Sequence, residues 1–148
     1  SPWAVDYGIE LSRGFRALKV WSHFLEHGTE RLGAAITANL AQARYLGHLI
    51  DGAHDLQRLA PIKLQIVVFR FIPATNSVHA KTDEALDCLN DSIVVELQLR
   101  GLAAPSTTRI KGRLAIRISL TNHRTTIEDL DMLVDEVRRI GAELNSAQ

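Results

Sequence analysis

Apolar positions recur three and four residues apart in four stretches of the chain, which is the period of a helix with one buried face. Ser12 is a suitable N-cap for the first stretch, and Gly28 is a suitable residue to end it. Thr126 and Asp129 have the spacing of a capping box at the start of the last stretch. The pattern predicts helices over residues 12–28, 29–50, 78–100 and 126–145.

Between these helices the pattern changes to that of strands. Residues 66–72 form a continuous run of β-branched and aromatic side chains, which is typical of a central strand buried on both faces. Residues 107–110 and 114–120 are predicted as a hairpin, and apolar residues alternate along its second arm. With a short strand over 56–60, this predicts an α+β fold. We expect an antiparallel sheet of about four strands with helices packed on one face.

The charge balance excludes some classes of function. The 148 residues carry 17 basic and 17 acidic side chains, so the chain lacks the basic surface of a nucleic-acid-binding protein. A formal net charge of zero also favours self-association. No apolar run has the length of a membrane span, and the start does not resemble a signal peptide. One cysteine allows no intrachain disulfide, so we expect a cytoplasmic protein.

Side chains that could carry chemistry are sparse. His23 and His27 lie four residues apart on a predicted helix and could share a metal ion, but no third ligand has matching spacing. Cys88 is expected to be a small apolar residue on a helix. No glycine-rich phosphate loop and no nucleophile motif is present. From these residues alone, the chain is an α+β domain whose task is open.

A resemblance to a known family narrows the range of possible functions. The segment Asp6–Trp21, with Phe15-Arg16-Ala17-Leu18-Lys19 at its centre, resembles the region after the mobile active-site loop of group II pyridoxal-phosphate (PLP) dependent decarboxylases. Gly28 matches a glycine that follows in that family, and residues 66–71, 114–122 and 125–130 resemble later segments in the same order. The Phe-Arg pair is similar to the aromatic amino-acid branch. Gly14 departs from the pattern, because the family has an arginine there.

The resemblance implies a small carboxy-terminal domain of a fold-type I PLP enzyme. Residues 22–148 would be that domain, and residues 1–21 would be the tail of the large PLP-binding domain with the start of a linking helix. PLP would be held by residues absent from this chain, because neither Lys19 nor Lys63 has the flanking residues of the family's Schiff-base lysine. The isolated chain is therefore expected to be inactive. The complete enzyme would be a cytoplasmic homodimer that decarboxylates aromatic or related L-amino acids.

The same resemblance implies roles for three residues. Ser12 would lie at the edge of the substrate pocket of the opposite subunit, where its small size lets the backbone approach the substrate. Arg13 and Arg16 would support that region by ion pairs on the first helix. No catalytic residue and no metal ligand is expected within the chain.

Two alternatives stay open. The chain could be a stand-alone α+β module for binding or dimerisation, without a cofactor. It could also be the small domain of a PLP aminotransferase, a class that usually carries an arginine here to hold the substrate carboxylate. Arg117 is the strand arginine placed for that role. Release of CO2 rather than formation of a keto acid would distinguish a decarboxylase from an aminotransferase.

Overall fold

A computed structural model describes residues 3–8, 14–73 and 82–146. Contacts divide the chain into two units, residues 1–36 and residues 37–148, which are described separately below. The helices and strands, in chain order, are a 3-10 helix Ala4–Tyr7, α1 Arg16–Gly52, β1 Leu56–Arg58, β2 Ile66–Phe71, α2 Asp83–Leu99, β3 Ser106–Ile110, β4 Arg113–Ser119 and α3 Ile127–Ser146.

The first unit contains the amino-terminal part of α1. The helix begins at Arg16, later than the predicted start at Ser12, since Gly14 and Phe15 are not helical. Glycine disfavours a helix by about 1 kcal/mol relative to alanine, which accounts for the later start. At Gly28 the backbone leaves the helical region (φ 69°, ψ 169°), so the predicted break is confirmed. No side chain described between residues 14 and 36 is fully buried.

The second unit contains the sheet. Its strands lie in the order β1-β2-β4-β3, and every neighbouring pair is antiparallel. Val67 pairs with Ile118 and Phe69 with Ile116, so these apolar side chains share one face of the two central strands. The predicted four-stranded antiparallel sheet and the predicted burial of the 66–72 run are confirmed.

One hydrophobic core joins that face of the sheet to the helices. The carboxy-terminal part of α1, α2 and α3 all contribute fully buried side chains to it. Its largest members include Leu46, Ile50, Phe69, Ile93, Leu97, Ile116, Leu130 and Ile140. The predicted stripe along α1 is buried only from Ala43 onward, whereas Ile36 in the first unit is exposed.

The carboxyl end of β2 is held by two helices. Asn90 of α2 is completely buried, and its side-chain oxygen accepts a hydrogen bond from the Phe71 backbone N–H (2.7 Å). Its amide group donates to the carbonyl oxygens of Phe71 (3.0 Å) and Leu86 (2.8 Å). On α3, Gly141 lies so close to the Phe71 ring that a β-carbon there would be 2.7 Å from a ring carbon. The buried Asn90 side chain therefore holds α2 against β2. The absence of a side chain at Gly141 allows α3 to pack closely against the same strand.

The predicted capping box starts α3. The Thr126 backbone N–H donates to the Asp129 carboxylate (2.8 Å), and the Asp129 N–H donates to the Thr126 hydroxyl (3.3 Å). Farther along α3, Arg138 Nε donates to the Asp55 carboxylate beside β1 (2.8 Å). Helix α2 has its own cap, because the Thr82 hydroxyl accepts a hydrogen bond from the Ala85 N–H. Local hydrogen bonds thus define where both helices begin.

Arg70 is a charged residue within the buried central strand. It is only 4% exposed, and one of its terminal nitrogens donates to Asp83 of α2 (2.9 Å). Asp87, one turn along α2, accepts hydrogen bonds from Arg109 (2.8 Å) and from the Leu114 backbone N–H (2.8 Å). The start of α2 is therefore tied by charged groups to three strands of the sheet.

We predict opposite effects for alanine at two helical glycines. Gly141→Ala should destabilise the protein by about 1–3 kcal/mol, because the new methyl group overlaps the buried Phe71 ring. Gly33→Ala should be neutral or stabilising by up to about 1 kcal/mol, because nothing lies within 4 Å of the added carbon. Urea unfolding of both variants checks this. Equal effects at the two positions would contradict the proposed close packing.

Acid should weaken the contact between Arg70 and Asp83. The hydrogen bond from Arg70 lowers the pKa of the Asp83 carboxyl below its ordinary value. A carboxyl with a lowered folded-state pKa stabilises the protein above its unfolded-state pKa, and that stability is lost as pH falls through the folded pKa. Asp83→Asn should therefore be less stable than the parent at pH 7, with a gap that narrows below about pH 4.

The matched control for this test is Glu84→Gln, the neighbouring acidic residue, for which the described part of the chain shows no ion pair. Urea unfolding at several pH values gives the free energy of unfolding of each variant. A gap for Asp83→Asn that is constant from pH 7 to pH 3 would show that the charged pair does not act as described.

Candidate functional site

The second unit has a cleft of about 530 Å³ at one end of the sheet. It lies between the loop that follows α2, the last residues of β4 and the first turns of α3. Side chains from all three parts line it. The lining residues are Leu102, Ala103, Ala104, Pro105, Ser106, Arg117, Ile118, Ser119, Leu120, Asn122, Thr125, Asp129, Leu130, Met132 and Leu133.

The loop after α2 forms one wall of the cleft, and hydrogen bonds determine its course. Gly101 adopts a positive φ of 67° directly after the C-cap of α2, where glycine commonly ends a helix. The Leu102 backbone N–H donates to the carbonyl of Leu97 (3.0 Å). The Gln98 side chain then donates to the carbonyl of Pro105 (2.9 Å), which ties the far end of the loop back to the helix.

The polar turn between β4 and α3 forms a second wall. The Asn122 side-chain oxygen accepts a hydrogen bond from the Arg124 N–H (3.0 Å), and the Asn122 carbonyl accepts from the Thr125 N–H (3.3 Å). Gln42 of α1, in the same unit, donates to the Thr125 carbonyl. This turn and the capping box of α3 place Asn122, Thr125 and Asp129 along the cleft.

Arg117 is the basic residue of the cleft. It lies on β4, on the face opposite to the core side chains Ile116 and Ile118, and it is half-buried. One terminal nitrogen is 3.5 Å from the Ser106 hydroxyl, which is the limit of a hydrogen bond. Within the described part of the chain, no carboxylate lies within ion-pair distance of its guanidinium group. Arg117 is thus a cation beside an open cleft, without a counter-ion among the residues that the structure describes.

This arrangement is suited to binding a small anion. A guanidinium group can hold a carboxylate through two parallel hydrogen bonds, and the leucine and methionine side chains of the cleft offer an apolar surface. The lining residues include no histidine, cysteine or lysine. The cleft therefore fits a small molecule that has a carboxylate and an apolar part.

The roles that the resemblance implies for Ser12, Arg13 and Arg16 are not tested by the structure. Ser12 and Arg13 fall outside the described residues, so their roles stay predictions. Arg16 is the first residue of α1 and is exposed, and the described part of the chain gives it no ion pair. Its supporting role also stays a prediction. The cleft residues other than Arg117 were not recognised from the sequence, because they come from three separate segments that only the fold brings together.

The histidine pair on α1 forms no larger cluster among the described residues. The rings of His23 and His27 are 5.4 Å apart, and the His27 Nε2 atom is 3.9 Å from the Glu26 carboxylate. Within residues 3–8, 14–73 and 82–146, no group of three or more potential metal ligands was found. Over the same ranges, no helix is both long and apolar enough to cross a membrane. Cys88 lies on α2, as predicted, and is exposed.

The described lysines are not placed to hold PLP in the cleft. A PLP enzyme holds its cofactor through a lysine, and the lysines in the described ranges are Lys19, Lys63 and Lys111. All three are exposed, and none of them lines the 530 Å³ cleft. The charged groups of the cleft are one guanidinium group and one carboxylate, and neither can form a Schiff base with PLP.

Comparison with known proteins finds that this chain is similar to part of several amino-acid decarboxylases. An aromatic-L-amino-acid decarboxylase of Bacillus atrophaeus is 36% identical over 140 residues, which are 95% of this chain and 28% of the relative. A histidine decarboxylase of Drosophila melanogaster is 31% identical over 142 residues, covering 94% of this chain and 15% of the relative. The chain thus spans less than a third of the length of these relatives. No family model matches the chain.

Solved structures share the fold. The structure of an Oryza sativa protein, TDC, with PLP and tryptamine superposes with a TM-score of 0.81 at 23% identity, over 95% of this chain and 29% of that one. The glutamate decarboxylase domain of a Vibrio parahaemolyticus protein gives a TM-score of 0.73 at 27% identity, over 86% of this chain and 26% of that one. In both, the α+β domain described here is a minor part of a larger protein.

The isolated chain is predicted to bind no PLP. Incubation of the purified 148-residue chain with PLP should leave the absorption spectrum equal to the sum of the two components, with no new Schiff-base band near the edge of the visible range. Borohydride reduction followed by mass analysis serves as a second readout. Stoichiometric attachment of the cofactor to one lysine of the chain would contradict the prediction.

Proposed function

We propose that this chain, which has the sequence and fold of the carboxy-terminal portion of group II PLP-dependent decarboxylases, serves as the small domain of an amino-acid decarboxylase. The single observation that carries the proposal is the 36% identity over 95% of the chain with an aromatic-L-amino-acid decarboxylase. The domain is one part of the enzyme, and the cofactor and the catalytic groups belong to the part outside this chain. By itself the domain would be inactive.

The proposed substrate is an aromatic or related L-amino acid. Similar proteins include aromatic-L-amino-acid, tryptophan and histidine decarboxylases, and the Phe15-Arg16 pair is similar to that branch. An L-2,4-diaminobutyrate decarboxylase of Acinetobacter baumannii is also similar, at 25% identity. Together with Gly14, which departs from the family pattern, this leaves the choice among these substrates open.

We further propose that the cleft at Arg117 contributes to the substrate site. Arg117 has no counter-ion among the described residues, so a substrate carboxylate would supply one. The apolar side chains of the cleft would then contact the rest of the substrate. Ser12 is proposed to line the substrate pocket of the opposite subunit, and Arg13 and Arg16 are proposed to support it. Under this proposal the enzyme is a cytoplasmic homodimer.

The alternatives have less support. Nearly the whole chain is similar to a part of proteins that are much longer. A stand-alone module would not account for this similarity. A small domain of an aminotransferase would share the general fold and an arginine on this sheet. However, the relatives reported above are named as decarboxylases.

The activity is tested with the full-length protein that contains this chain. We expect CO2 and an amine from L-tryptophan, L-tyrosine, L-phenylalanine or L-histidine, and no keto acid. Carbon-14 label in the substrate carboxyl group should be recovered as CO2. Keto-acid formation without release of label would identify an aminotransferase and overturn the proposal.

The role of Arg117 is tested in the same enzyme. Arg117→Leu removes a charge-assisted hydrogen bond worth about 1.5–3 kcal/mol, so KM should rise roughly 10- to 100-fold. Arg117→Lys should recover part of this loss. Arg124→Leu is the control, because it removes the same charge from an exposed residue that does not line the cleft. An equal rise in KM for both leucine variants would exclude a specific role for Arg117.

A further inference from the structure

The first part of α1 carries a wide apolar face whose side chains are exposed. Between Arg16 and Gly28 the helix exposes five large apolar side chains, which are Leu18, Val20, Trp21, Phe24 and Leu25. Trp21 is 59% exposed and Leu25 is 67% exposed. Soluble proteins rarely expose so many neighbouring apolar side chains on one element unless they form an interface.

The arrangement of these residues is strongly one-sided. At 100° per residue they lie within an arc of roughly 160° around the helix axis. The remaining arc carries the polar residues Arg16, Lys19, Ser22, His23, Glu26 and His27. One side of the helix is therefore suited to water, and the other is suited to a protein interior.

We propose that this face, termed the α1 apolar face (Leu18, Val20, Trp21, Phe24 and Leu25), docks on the part of the same enzyme that lies outside this chain. The inference rests on the proposed function, because it takes its partner from the complete decarboxylase. The chain spans 28% of its Bacillus atrophaeus relative, so most of such an enzyme is available to cover the face. The occupant would be the apolar surface of a folded domain.

The width of the face favours a domain over a second copy of the same helix. Two helices that pair with each other bury a narrow seam of positions, whereas a helix that packs on a globular layer buries a broader stripe. The α1 apolar face is of the broader kind and contains two aromatic side chains, Trp21 and Phe24, which need a deep contact surface. Gly28 ends this part of the helix, so the face has a defined length.

The test uses a hybrid in which this chain replaces the matching segment of the Bacillus atrophaeus relative. Leu25→Cys places a thiol on the apolar face, and Lys19→Cys places one on the opposite side of the same helix. Both variants carry Cys88→Ser, because Cys88 is exposed. The rate of maleimide labelling at each position is measured by peptide mass spectrometry, in the hybrid and in the isolated chain.

We expect labelling of Leu25→Cys to be at least ten times slower in the hybrid than in the isolated chain, while the rate for Lys19→Cys changes less than threefold. Equal labelling of Leu25→Cys in both proteins would overturn the proposal. Equal protection of both positions would also overturn it, because the docking would not be specific to one face. Protection of Leu25→Cys in the isolated chain that grows with concentration would identify a second copy as the occupant.

A second measurement needs only the isolated chain. The double variant Trp21→Glu with Leu25→Glu should lower the emission of a bound hydrophobic dye at least twofold. Leu99→Glu, at an exposed leucine of α2 (76% exposed), should leave that emission nearly unchanged. Equal emission from both would overturn the assignment of the interface. Because labelling is independent of activity, a protected hybrid that releases no CO2 would support the docking face and contradict the proposed decarboxylase.

Discussion

The contact between the end of β2 and the two helices that cross it is the constraint on which the second unit depends. Phe71 has its backbone bonded by Asn90 and its ring against Gly141, so one residue positions α2 and α3 together. Neither contact tolerates much variation, because a buried amide needs its partners and a buried ring needs space. The ion pair of Arg70 with Asp83 adds a third connection between β2 and the start of α2.

The cleft is a consequence of this packing. Once α2 and α3 are placed, the loop after α2 and the turn before α3 must face each other across the end of β4. Gln98 and Asn122 then hold these two segments through hydrogen bonds to the backbone. Arg117 projects beside them without a counter-ion among the described residues. The packing thus leaves a basic and an apolar surface side by side in one cleft.

Much of the fold could be predicted because its causes are local. The alternation in β4, the capping box of Thr126 and Asp129 and the break at Gly28 each depend on a few neighbouring residues, and all three are found in the structure. The start of α1 and the exposure of Ile36 were not foreseen. A periodic pattern shows that a side of a helix is apolar, but it does not show which protein surface covers that side.

By itself, the sequence determined the element types, the antiparallel sheet and the family resemblance, since periodicity, caps and short motifs are properties of adjacent residues. Only the tertiary structure decided that Arg70 is buried beside Asp83, that Asn90 bonds Phe71, and that Arg117 borders a cleft. Arg70 and Asp83 are 13 positions apart in the sequence, and Phe71 and Asn90 are 19 positions apart. Their contacts form only when separate elements pack together. Packing is a property of the whole core, so no local pattern encodes it.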